Sequence, residues 1–291
     1  MRIRIPASSA NLGPGFDCFG IAWQLYDEIE FLKTGSGLSV SGCPEEFRNR
    51  ENLCYAGYTA ALRYCGLPEH PLSIRFLGSS IPISRGLGSS AALIAGGVFA
   101  ADRLNALSLS PEELLDIAAR TEGHPDNIAP ALFGGFTASA VDDGRSLSVS
   151  FPLSGRLSFT ALVPDFRLST ELARSVLPEK YSRSDAVFNI SRSALLIKAL
   201  GSGDMKLMRS AVMDRLHQSY RFPLIKGYDT AAALAGEHCC MCISGAGPTI
   251  LCISGDSGLA EKLRDPMSTA LPGWKVLPLR PDMHGAAVIK E

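Results

Sequence analysis

Polar and apolar residues alternate over residues 2–5, and β-branched and aromatic residues crowd residues 28–32 and 72–76. All three stretches predict strands. Residues 89–104 carry small and apolar side chains and predict a helix with small residues on its face. Ser110-Pro111-Glu112-Glu113 combines a capping serine, a proline in the first turn and a glutamate three residues past the cap, so a helix is predicted from 111 towards 120. Gly134-Gly135 breaks the chain before a predicted strand at 136–141, and Asp142-Asp143-Gly144 signals a turn between two strands. From about residue 153 onward the pattern predicts a strand at 157–163 and a short capped helix at 169–174, ended by Leu177-Pro178. Helices follow at 186–200, 206–217 and 225–235, with a stop at Gly201 after the first. Short strands at 240–243 and 250–253 flank a glycine-rich turn, and the tail adds a helix from 259 and a strand near 286–289. No internal repeat or low-complexity linker interrupts the series. Helices and strands mix without strict alternation, which favours an α+β fold over a doubly wound parallel sheet.

Composition narrows the class. The chain has 291 residues, 46% of them apolar and 20% charged, with 28 Lys and Arg against 29 Asp and Glu. That balance excludes a disordered chain. The lack of a basic excess argues against a nucleic-acid partner. The length is twice a typical domain of about 150 residues, so one large or two intimate domains are expected. The apolar stretch 91–101 is shorter than the roughly 20 residues a membrane span needs, so no membrane partner is expected. The first residues read as a strand and not as an export signal. Eight cysteines in such a chain point to reduced thiols and a cytoplasmic location. Cys239, Cys240, Cys242 and Cys252 cluster, but their spacing fits no zinc pattern, and small apolar residues in two buried strands is the favoured reading.

Four segments carry candidate chemistry. Pro82-Ile83-Ser84-Arg85-Gly86-Leu87-Gly88-Ser89-Ser90-Ala91-Ala92 is a glycine loop opening directly into a helix, where backbone N–H groups and the positive helix end can hold a phosphate. A plain glycine turn before a helix would look the same. It is neither a Walker A loop, since no Gly-Lys-Ser/Thr follows, nor a dinucleotide fingerprint. Glu122-Gly123-His124-Pro125-Asp126-Asn127 gathers two carboxylates, an imidazole and a carboxamide, which suits Mg²⁺ and hydroxyl orientation as well as it suits a polar loop of Asx-turns. Ser244-Gly245-Ala246-Gly247-Pro248-Thr249 lies between two apolar strands, either as a ligand-approaching loop or as a tight hairpin. Ser8-Ser9-Ala10-Asn11-Leu12-Gly13-Pro14-Gly15-Phe16-Asp17 ends a rigid turn in a carboxylate. Two glycine loops and a carboxylate-rich loop suit an ATP-dependent phosphotransferase, and no Gly-x-Ser-x-Gly elbow points to hydrolysis.

Together, and in this order, the four segments resemble the GHMP family of small-molecule kinases, named for galactokinase, homoserine kinase, mevalonate kinase and phosphomevalonate kinase. The resemblance runs from the N-terminus to about Thr249. It implies a two-domain GHMP kinase fold: an ATP-binding domain over 1–153, ribosomal-protein-S5-domain-2-like, and a ferredoxin-like domain over 154–291. It implies ATP and Mg²⁺, with Pro82, Arg85, Gly86, Leu87, Gly88, Ser89, Ser90 and Ala91 around the triphosphate and Ser89 and Glu122 at the metal. Asn127, Glu122 and Ser90 are the implied catalytic residues. Many relatives have an aspartate where Asn127 stands, so direct in-line attack of the substrate hydroxyl is implied, with Asp126 the alternative base. The implied substrate is L-homoserine, phosphorylated on its hydroxyl in a step towards threonine. Its carboxylate matches Arg174 and Arg221, its ammonium matches Asp17, and Asn11, His124, Thr170 and Gly245 lie beside it. Another small alcohol, such as mevalonate or a sugar, and an inactive nucleotide-binding relative are the rival readings. The resemblance allows a homodimer. Two positions depart from the family: Ser84 stands where glycine is frequent, and His217-Gln218 replaces a more acidic or proline-containing sequence before Arg221.

Overall fold

The computed structural model describes residues 1–289. Along the chain run β1 (Arg2–Ala10), β2 (Phe19–Lys33), β3 (Leu38–Ser41), α1 (Leu53–Tyr64), β4 (Leu72–Ser79), α2 (Ser89–Asn105), α3 (Pro111–Glu122), α4 (Ile128–Phe133), β5 (Phe136–Asp142) and β6 (Arg145–Phe151). Then follow β7 (Ser158–Val163), α5 (Thr170–Ser175), α6 (Arg183–Ser202), α7 (Met205–Ala211), α8 (Gln218–Arg221), α9 (Tyr228–Ala235), β8 (Cys240–Ile243), β9 (Ile250–Ser254), α10 (Leu259–Ala270), β10 (Lys275–Leu279) and β11 (Ala287–Ile289). Two sheets organise them. The first has the order β11-β1-β2-β4-β3, with β5 also paired to the start of β2 and β6 to β5; the second has the order β10-β7-β9-β8. All pairs are antiparallel except β3 with β4. The fold is therefore α+β, as the unalternating pattern predicts.

Helices α1, α2 and α3 pack together over the first sheet, and Ile3, Ile5, Phe31, Tyr58, Ile94 and Val98 join one core. The expected division at 153/154 falls between the two sheets, after which β11 crosses back to pair with β1. Helix α3 begins as predicted: Ser110 accepts from the Glu113 N–H while the Glu113 carboxylate accepts from the Ser110 N–H. The four clustered cysteines are buried in or beside β8 and β9. Among the described residues, no helix is long and apolar enough to cross a membrane.

Several boundaries differ from expectation for local reasons. The predicted helix 206–217 is split. After α7, the Asp214 carboxylate accepts the N–H groups of Leu216, His217 and Gln218 and restarts the chain as α8. Helix α6 runs through Gly201 and closes at Gly203, whose φ of +67° is the left-handed cap. Helix α9 begins at Tyr228, after Gly227, and not at 225. Helix α1, strands β3 and β10 and the first half of β2 were not foreseen. Strand β2 opens buried on both faces and so shows no alternation, and α1 is buried around most of its circumference.

Candidate active site

A cleft of about 670 Å³ opens where the two sheets meet, and residues from all four segments line it. At one end stands the N-terminus of α2. Its cap is Gly88, with φ +70° and no side chain closing the first N–H groups, in contrast to the serine cap of α3. Those N–H groups lack partners within the helix and face a positive dipole end. A Cβ on Gly88 would stand 2.1 Å from Ser8 Oγ, and one on Gly86 would stand 2.2 Å from the Ser244 carbonyl. The two glycine loops are locked together: Ser244 Oγ donates to the Gly86 carbonyl at 2.6 Å, and the Thr249 N–H donates to the Arg85 carbonyl. Ser84 has φ +53°, a left-handed conformation that favours glycine.

Arg85, Gly86, Gly88, Ser89 and Ser90 line the cleft. Leu87 and Ala91 are buried behind it, and Leu87 offers its carbonyl to the Ser8 N–H. Pro82 lies just before the lining stretch. The Arg85 guanidinium donates to the carbonyls of Ile83, Pro164 and Asp165, tying the loop to the second half of the chain. The open helix end and the glycine cradle fit a triphosphate without needing that charge.

Beside the helix start, Ser90 Oγ donates to Glu122 Oε2 at 2.7 Å. Burial pushes the Glu122 carboxyl above its ordinary value, against the Ser90 hydrogen bond, which lowers it. Two hard oxygens side by side suit Mg²⁺. The hydroxyl that meets Glu122 is that of Ser90, while Ser89 lines the cleft one residue earlier. Asn127 also lines the cleft, its carboxamide oxygen accepting from Ser8 Oγ at 2.9 Å. Asp126 is 1% exposed, and its carboxylate is engaged by the Asn127 N–H and by His124 Nδ1, each at 2.9 Å. The bond to Asp126 is also the main reason His124 holds its proton above the ordinary imidazole range.

The far end of the cleft is charged. Arg174 clasps Asp17 with two hydrogen bonds, of 2.6 and 3.0 Å. Asp17 is fixed in turn by its N–H, which donates to Asn11 Oδ1, while Asn11 Nδ2 donates to the Gly245 carbonyl. Arg221 is 1% exposed. It donates to the carbonyls of Ala173 and Gly245 and lies against His217. Burial, and then repulsion from Arg174, lower it to about 10. His217 anchors this corner by bonding the Gly13 carbonyl and stacking on Phe16, and it helps to hold Arg221 in place. Thr170, at the start of α5, completes the wall.

Three contributors were not foreseen. Ser8 bridges the two halves of the phosphate corner, and Phe16 lies under both arginines, 5.5 Å from Arg174 and 5.1 Å from Arg221. The wall formed by Cys43, Pro44, Phe47, Asn52, Leu53 and Phe76 extends the cleft beyond the glycine loops. Its one sequence signal is Asn52, whose side chain caps α1.

An open helix end, a carboxylate–hydroxyl pair and an amino-acid-like charge corner within one cleft define a small-molecule kinase. Residues 52–135 match the family model described as GHMP kinases N terminal domain. A homoserine kinase of Clostridium botulinum is 41% identical over 298 residues, covering 100% of this chain and 99% of the relative. The crystal structure of homoserine kinase from Cytophaga hutchinsonii superposes with a TM-score of 0.88 at 27% identity, covering 99% of this chain and 97% of that one. Mevalonate kinase of Methanococcus jannaschii shares the fold alone, with a TM-score of 0.71 at 14% identity over 97% of this chain and 98% of that one. The chain belongs to the GHMP kinases and, within them, to the homoserine kinase family.

Proposed function

We propose that the chain transfers the γ-phosphoryl group of ATP to the hydroxyl of L-homoserine, giving O-phospho-L-homoserine in a step towards threonine. The observation that carries this reading is the presence, at two ends of one cleft, of an uncapped helix start and of Arg174 and Arg221, with Asp17 paired to Arg174. A sugar has no use for that charged corner, and mevalonate has no ammonium for Asp17.

Residues 1–153 supply the nucleotide half, where the α2 N–H groups hold the phosphates and the wall around Phe47 and Leu53 takes the nucleoside. Residues 154–291 supply Thr170, Arg174, Arg221 and Gly245. Glu122 and a serine hydroxyl, from Ser90 or Ser89, would hold Mg²⁺, which when bound neutralises the triphosphate charge. Asn127 and His124 orient the attacking hydroxyl. Asp126 is buried beneath both and holds them, so the rate comes from positioning and charge stabilisation, without a dedicated carboxylate base. Single-turnover rates separate the cases: a larger loss in Asp126→Asn than in Asn127→Ala, at unchanged ATP binding, would make Asp126 the base. Free thiols at all eight cysteines support the cytoplasmic part of the reading, and a homodimer rests on the family resemblance alone.

The test is ADP release in the presence of L-homoserine, D-homoserine, L-serine, mevalonate or galactose. L-homoserine is expected to be the preferred acceptor. ADP release with a non-amino-acid alcohol only would overturn the assignment.

A further inference from the structure

The two charges expected to grip opposite poles of the substrate grip each other. Arg174, which lines the cleft, meets Asp17 just behind it in a two-pronged pair, and each side chain is 37% exposed. The surroundings show which partner can yield. Asp17 is held in a left-handed conformation, φ +52°, by Asn11, which is itself tied to Gly245. Arg221 is buried and hydrogen-bonded to two carbonyls. Arg174 sits on α5, a six-residue helix with Glu171 and Leu172 in the open, and lies over the face of Phe16, 5.5 Å from its centre. An incoming carboxylate therefore finds Arg221 waiting but must win Arg174 from Asp17.

We infer that the Asp17–Arg174 pair is a placeholder for the substrate's own charges. A zwitterionic amino alcohol exchanges with it one for one, whereas an alcohol bearing only one of the two charges breaks the pair and leaves a member unpartnered. This inference rests on the amino-alcohol reading of the site and adds a selectivity device to it. Removing one partner of a hydrogen-bonded ion pair exposes the other to the cost of an unmatched charge. L-homoserine supplies carboxylate to Arg174 and ammonium to Asp17, so the count of partners is conserved. 4-Hydroxybutyrate, which is homoserine without its ammonium, strands Asp17. 3-Aminopropan-1-ol, which is homoserine without its carboxylate, strands Arg174. The pair thus acts against both single-charge alcohols before any contact with the rest of the chain is made.

The sign of the effect makes the inference testable. If the two residues were independent ligands, removing one could not help a ligand that never touches it. If they are paired, removing one releases the other. Titration calorimetry on the full chain, with a non-hydrolysable ATP analogue present, reads this directly. In Asp17→Asn, 4-hydroxybutyrate is expected to bind about three- to fivefold more tightly than to the unaltered chain, the upper range for a partly exposed ion pair. In Arg174→Gln, 3-aminopropan-1-ol is expected to tighten by a similar factor. L-homoserine should weaken in both. Glu171→Gln removes a carboxylate from the same helix without touching the pair, and should leave 4-hydroxybutyrate unchanged. Unchanged or weaker binding of the single-charge alcohols in the first two variants overturns the inference. So does equal tightening in Glu171→Gln, which would reduce the effect to the general field. The two variants stand on opposite partners, so a folding defect in one leaves the other decisive. Failure of the unaltered chain to release ADP with L-homoserine would overturn the functional reading instead, and the binding arms would still judge the pair.

Discussion

The two ends of the cleft solve the same problem, holding a charged ligand, by opposite means. In the proposed reaction the ligand at the α2 end is polyanionic, and the chain would meet it with backbone N–H groups at Gly88 and beyond, left open because no side chain caps the helix. Arg85, the arginine of that loop, spends its guanidinium on three carbonyls. At the α5 end the proposed ligand is a compact zwitterion, and the chain would meet it with side-chain charges that compensate each other in the free protein. The contrast explains how a kinase can work with a formal charge of −1. Anion affinity that comes from dipoles adds nothing to the residue count, and charges that are paired add nothing to the net. It also predicts asymmetric mutational behaviour. Apart from the metal-binding carboxylate Glu122, the phosphate end should fail by geometry, and the other end by charge.

The largest effect is expected at Gly88. Its left-handed backbone costs any other residue about 1–3 kcal/mol. A Cβ there also meets Ser8 Oγ at 2.1 Å and Asn127 Oδ1 at 3.1 Å. Gly88→Val should lower kcat/KM for ATP by about a hundredfold or more, the scale of losing a preorganised donor at a reacting group. Binding of L-homoserine, measured separately, should change far less. An equal loss in both would show that the two ends are not built independently.

Glu122→Gln comes next and has two readouts of opposite sign. Because burial raises the carboxyl above its ordinary value, ionising it costs more in the folded chain than in the unfolded one. That cost is present at neutral pH and disappears as the pH falls through the raised value to the ordinary one. The neutral amide should therefore raise the melting temperature of the ligand-free chain at pH 7, while turnover falls by about two orders of magnitude for want of the metal-binding charge. A variant that melts lower and still turns over would remove Glu122 from the site.

How far this arrangement could be read from the sequence follows the same divide. The phosphate end is local: Gly86, Gly88, Ser89 and Ser90 are consecutive with the helix they open, and Glu122 closes a helix whose capping box is explicit. Such features survive in one dimension. What could not be read is what the fold brings across distance. Ser8 meets Asn127 over 119 positions, and Asp17 meets Arg174 over 157. Sequence matching assigned Asp17 and Arg174 to the substrate separately, and nothing in either segment says that they close on each other. The cleft wall at 43–53 was illegible for a different reason. It is a loop and a buried helix start, with neither alternation nor helical periodicity to betray it.

At the charged end, Arg174→Ala should raise KM for L-homoserine by about tenfold or more, in line with the roughly 1.5–3 kcal/mol of a hydrogen bond to a charged group. KM for ATP should move little. Arg221→Ala should cost stability as well, because it strips donors from the carbonyls of Ala173 and Gly245. An unchanged homoserine KM in Arg174→Ala would leave the charged corner without a substrate role.

The smallest expected effect lies where the two ends meet, at His124. Its proton is held mainly by the hydrogen bond to Asp126, so the imidazolium persists above the ordinary value of about 6.5. With the folded value raised, the stabilisation is complete below the ordinary value and is lost as the pH rises through the folded one. Asp126→Asn removes the cause. The His124 ring should then titrate lower by NMR, and the fall in stability on raising the pH above neutrality should flatten. Catalysis should respond only through positioning: at pH 8 the variant should lose less activity, relative to its own value at pH 6.5, than the unaltered chain does. A His124 that titrates the same with and without the Asp126 charge would mean that the buried carboxylate serves Asn127 alone, and that the middle of the cleft belongs with the geometric end and not with the charged one.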